Sequence, residues 1–173
     1  EKKAEPEKKK ETVEMTQYDL GEATEDWKGW AVEAPKGFEV MQDLGGAARL
    51  AKDGRETLDM AIEPGHNDLA KLKKNTQTGA DKSDKRTLDF KVDEEGELVW
   101  TSTYGDQDPT WNFEMHMEVG GKKITCRNNH QMGLTEKGQI DQAKEICKSL
   151  HEKGDENGSD ESSDDKPDED EAK

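Results

Sequence analysis

The stretch 111–150, WNFEMHMEVGGKKITCRNNHQMGLTEKGQIDQAKEICKSL, decides the fold. Trp111, Phe113, Met115, Met117 and Val119 fall at every second position, which puts them on one face of a strand. Asn112, Glu114, His116 and Glu118 share the other face, expected to look outward. Gly120-Gly121 supplies the positive φ values that a two-residue hairpin turn demands, and Ile124 and Cys126 resume the apolar face on the return strand. After a polar loop, Thr135 to His151 carries Ile140, Ala143, Ile146, Cys147 and Leu150 at helical spacing. Each cysteine sits on the apolar side of its element, so a Cys126–Cys147 disulfide is expected to join the last strand to the last helix. It would close a loop of roughly 22 residues, worth about 3 kcal/mol in the chain-entropy picture. The alternative is a pair of buried free thiols in a cytosolic protein.

Around this stretch the composition changes sharply. Residues 1–14 hold five Glu and five Lys, and residues 154–173 hold ten acidic residues against two Lys. The ends therefore carry 0 and −8 of the formal −16, leaving −8 on residues 15–153, which also hold every aromatic residue and both cysteines. The chain divides into a disordered Glu/Lys tether (1–14), one α+β domain (15–153) and a disordered acidic tail (154–173). The acidic balance excludes nucleic acid as a partner, because phosphate binding needs clustered Lys and Arg, and Lys8–Lys10 and Lys71–Lys74 are short runs. No apolar run approaches the ~20 residues that span a bilayer. The chain starts at Glu1 without Met, as a mature or trimmed form would, and a Glu/Lys segment of this kind often follows the lipidated cysteine of a bacterial lipoprotein. The tail reads as a solubility segment, or as an electrostatic lure for cations or a basic partner.

Taken in order, Thr12 to Leu20 reads as extended, with Val13 and Met15 on one face. Trp27 and Trp30 precede a short strand, Ala31–Ala34, that stops before Pro35, and Pro35-Lys36-Gly37 turns the chain. Phe38, Val40 and Leu44 follow, then a small-residue strand over Ala47–Ala51. Asp53-Gly54 signals a hairpin into a strand marked by Leu58, Met60 and Ile62. A helix is expected from His66 or Asn67 to about Asn75, with Leu69, Ala70 and Leu72 as its buried stripe, and a polar loop over Thr76–Lys85. Leu88, Phe90 and Val92 mark one strand, Glu94-Glu95-Gly96 a turn, and Leu98, Trp100 and Tyr104 another strand. The result is an α+β domain on a mostly antiparallel sheet of about six or seven strands flanked by helices.

Ala34-Pro35-Lys36-Gly37-Phe38 is similar to the PxGW motif of PsbP-like domains, and Ile146-Cys147-Lys148-Ser149-Leu150 to the "ilkSL" ending of that group. Residues 27–151 thus resemble the PsbP/Ran-binding import-factor superfamily, and more closely the small bacterial lipoproteins of that fold. The resemblance implies an α/β/α sandwich and, in most members, binding or assembly roles without enzymatic activity. It carries no functional residue over. The paired cysteines and the acidic tail depart from the group's pattern.

The chemistry-bearing residues are few. Glu114, His116 and Glu118, about 7 Å apart along a strand, form a weak candidate row for a divalent cation. A solvent-facing polar row is the plainer reading. His130, beside Asn128, Asn129 and Gln131, lies in a polar loop that either holds a ligand or satisfies its own turn. Trp27 and Trp30 are either core or an exposed partner platform. No nucleophile motif is present. The sequence therefore points to a non-enzymatic, extracytoplasmic, monomeric module with no cofactor. Its protein partner is unknown, and the membrane is reached only through an upstream anchor. A cytosolic adaptor with free thiols is the alternative. A metal-handling protein or hydrolase comes third.

Overall fold

The structure, a computed structural model, describes residues 13–53 and 58–154. Its centre is the hairpin of β8 (Thr110–Val119) and β9 (Lys122–Asn128), in antiparallel register from Glu114↔Arg127 to Val119↔Lys122. The hairpin closes through Gly120 (φ 57°) and Gly121 (φ 75°), both left-handed, which matches the right-handed twist of the flanking strands. Leu134 forms a bridge with Trp111 and brings the chain to α2 (Lys137–Lys148). Gln139 caps that helix: its side-chain oxygen accepts from the Thr135 and Glu136 amides at 2.8 and 2.9 Å.

The other strands extend the hairpin on both sides. They are β3 (Phe38–Gln42), β4 (Ala48–Lys52), β5 (Leu58–Pro64), β6 (Arg86–Glu94) and β7 (Glu97–Tyr104), giving a seven-stranded antiparallel sheet in the order β3-β4-β5-β9-β8-β7-β6. A second sheet, β1-β2-β10, is built from β1 (Met15–Asp19), β2 (Trp30–Pro35) and β10 (His151–Glu152). Tyr18 fastens its corner, donating its hydroxyl to Pro35 O at 3.0 Å and accepting from the Phe38 amide at 3.2 Å. Val32, Ala34, Phe113, Ile124, Cys126, Ile140, Ala143 and Ile146 belong to one buried cluster, so α2 and the small sheet cover the same face of the large one. The expected disulfide lies inside this cluster: Cys126 and Cys147 are bonded, with Cα atoms 6.3 Å apart.

The opposite face belongs to α1 (Leu69–Asp81), which lies along β6 and β7. The expected antiparallel α+β architecture with helices on both sides is what the chain adopts. The main sheet has seven strands, as expected, and among the described residues β1, β2 and the two-residue β10 add a second sheet of their own. The helix expected to end near Asn75 runs to Asp81, through the segment read as loop: Thr76 and the buried Ala80 extend the Leu69–Leu72 stripe by further turns. Ala70 is exposed, off that stripe. Leu44 leaves the strand and stands 91% exposed in a short 3₁₀ turn at Leu44–Gly46. The Asp53-Gly54 turn falls at Gly54 outside the described residues, although β4 and β5 pair as it requires. The tether and tail lie almost wholly outside them too.

Candidate functional site

Alternation along β8 sets one row of side chains into the apolar cluster and the other on the opposite face of the sheet. The second row was expected to face water, yet Asn112 and Glu114 are 1% and 3% exposed. The covering segment is Pro64–Asp68, which leaves β5 and crosses the sheet to reach α1. Gly65 donates to Lys123 O at 2.7 Å and accepts from Thr125 Oγ1 at 2.8 Å. The Asn67 amide donates back to that hydroxyl at 3.2 Å. Asn67 Nδ2 donates to Glu114 Oε1 at 2.9 Å and to Glu63 Oε2 at 3.1 Å, and Arg127 Nε donates to Glu63 Oε1 at 2.5 Å. Asp68 then caps α1 through the Lys71 amide.

His130 closes the nest from the loop after β9. Its Nε2 donates to Phe113 O at 3.0 Å and its ring meets Trp100 edge to face at 4.8 Å. Glu114 Oε2 lies 3.9 Å from that nitrogen. Burial pushes His130 down to about 4, helped by Arg127 and opposed by the Phe113 hydrogen bond and Glu63. The imidazole is therefore neutral near pH 7, and the contact with Glu114 is not an ion pair. Burial pushes Glu114 up, with Asn67 opposing. Trp100 Nε1 and His116 Nε2 are buried atoms without a hydrogen-bond partner among the described residues.

The row Glu114, His116, Glu118 does not converge. Glu114 turns to Asn67, His116 stacks on His66, and Glu118 stays exposed. No three His, Cys, Asp or Glu side chains among the described residues gather as metal ligands, which corrects the weak metal candidate.

Trp27 and Trp30 are corrected as an exposed platform. They are 0% and 8% exposed, pack edge to face at 6.1 Å and lie under the Lys122 ammonium, 4.1 Å above the Trp27 ring. Trp27 also donates from Nε1 to Gly46 O at 3.0 Å. His130, grouped with them as a surface candidate, is mostly buried on the other side of the sheet, against Trp100. Sequence reasoning missed Glu63, His66, Asn67 and Arg127. Arg127 and Thr125 alternate with Cys126 and so were legible as face-mates of the polar row. Nothing in Pro64–Asp68 announces that it folds over that row.

Residues 13–53 and 58–154 thus define a two-sheet antiparallel α+β domain, stapled by a disulfide and carrying a closed polar nest. No family model and no curated protein matches the chain. Among solved structures it is similar to the solution structure of cyanobacterial PsbP (CyanoP) from Synechocystis sp. PCC 6803, at 17% identity and a TM-score of 0.45, over 84% of this chain and 96% of that one. The site is read from this chain's own residues. No helix among the described residues is long and apolar enough to cross a membrane.

Proposed function

We propose that this chain is a non-enzymatic binding or assembly module that works outside the cytoplasm, held near a membrane by its Glu/Lys segment and kept soluble by its acidic tail. The observation that carries this reading is the Cys126–Cys147 bond, fully buried between β9 and α2. A bond of this kind persists in oxidising compartments and is rare where glutathione keeps thiols reduced. The described nest fits a structural part in this reading, since its carboxylates bind Asn67 and Arg127 and His130 binds the Phe113 carbonyl rather than facing an open cleft.

Fractionation of the source cells, followed by thiol counting on the native chain, tests the proposal. The expected result is recovery outside the cytosol with no free thiol. Recovery in the cytosol with two reactive thiols would overturn it in favour of the adaptor reading.

A further inference from the structure

The segment Pro64–Asp68 is held across β8 and β9 by polar contacts, and the ring contact among them is a pair of histidines. His66 and His116 stack face to face, centroids 4.4 Å apart and planes within 3°. His66 Nε2 donates to Met117 O at 2.9 Å, which fixes its proton on that nitrogen in the neutral form. We propose that this stacked pair is an acid-sensitive latch: the segment lies closed over the polar row while both rings are neutral and lifts when both take a proton.

Two imidazolium rings stacked at this distance repel, whereas two neutral rings attract through their faces. Protonation therefore converts an adhesive contact into a repulsive one. Most of the carboxylates around the pair are already engaged, and the remaining one, Glu118, is exposed to solvent. On β5, Glu63 is bound to Arg127 of β9. At the start of α1, Asp68 caps the Lys71 amide. On β8, Glu114 accepts from Asn67, and Glu118 sits opposite Lys123 of β9. His130 is turned to Phe113 O. From the β6–β7 turn, Gly96 offers only its carbonyl to the His116 amide, and the neighbouring Glu97 is bound to Lys144 on the far face.

Burial lowers the affinity of His116 for a proton, and the charge of His66 lowers it further, against a hydrogen bond with the Asn67 backbone. The sign follows. The closed state binds protons less readily than the open one, so closure is complete above the ordinary histidine range near pH 6.5 and weakens as pH falls through it.

Amide hydrogen exchange in the full chain, corrected for intrinsic rates, reads the latch at Gly65 and Asn67, whose amides bind Lys123 O and Thr125 Oγ1. Exchange at these two amides is expected to rise severalfold between pH 7 and pH 5 as the segment opens. Amides of β6 and β7 should stay unchanged. His116→Phe keeps a stacked ring without a charge and should abolish the rise. Unchanged protection in the native chain at pH 5, or equal loosening in His116→Phe, would overturn the latch. Should that variant fail to fold, His66→Phe decides by the same readout: loss of the acid-dependent rise at Gly65 and Asn67 upholds the proposal, and an unchanged rise overturns it.

Discussion

At the residue scale, two neighbours pull stability in opposite directions with pH. His130 sits at about 4, well under its ordinary 6.5, so the unfolded chain binds the proton more readily. Its contribution, about 3 kcal/mol in all, is full above pH 6.5 and is lost as pH falls toward 4. Replacing His130 with Phe should flatten the urea-unfolding profile over that window. Glu114 behaves inversely. Its raised affinity means the folded state favours the protonated acid, so the buried carboxylate costs stability at neutral pH and the cost fades as pH falls through its folded value. Glu114→Gln, which can still accept from Asn67, is expected to raise stability at pH 7 by up to about 1 kcal/mol and to lose that advantage in acid. Urea midpoints at two pH values check it. Trp27→Ala should cost about 3–5 kcal/mol, because the ring is fully buried and capped by Lys122. The alternation along β8 made the position of Glu114 legible. Its burial was not, because period 2 places a side chain on a face without saying what covers that face.

At the element scale, the strongest local signals were the most faithful. The β8–β9 hairpin was readable because only glycine adopts two successive positive φ values without strain, and Gly120-Gly121 stood between alternating runs. Other elements were displaced by contacts remote in sequence. Leu88, Phe90 and Val92 alternate in sequence, but a bulge between Phe90 and Val92 in β6 turns Val92 to the opposite face. β10 was invisible, since two residues carry no period. It forms where Leu150 buries and the chain meets β2. Ser149 makes that junction: its Oγ accepts from the Glu33 amide at 2.8 Å and donates to Ile146 O at 2.6 Å. Ser149→Ala is expected to cost about 1 kcal/mol and to raise amide exchange in β10 before it does so in β9.

At the scale of the whole molecule, the sheet order rests on non-local pairing. β5 joins β9 across more than sixty residues, as in Ile62↔Cys126, a partnership no local pattern reveals. Strand, turn and helix periodicity gave the class of fold because the long elements of the central hairpin and α2 follow their own hydrophobic patterns. The second sheet and the polar nest depend on which faces meet, and that is decided by burial of the whole core. The division into tether, domain and tail is proposed on charge and composition. Trimming the chain to residues 13–154 is expected to leave the urea midpoint unchanged, and a lowered midpoint would assign the ends a structural part.

The closing hairpin and the final helix are covalently joined through Cys126 and Cys147. Tryptic digestion without reduction isolates the two half-cystines in the peptides Ile124–Arg127 and Glu145–Lys148. Mass spectrometry of the native chain is expected to find these two peptides as one disulfide-linked species that separates on reduction. Their recovery as two independently alkylated peptides from unreduced protein would contradict the staple, and with it the proposed compartment.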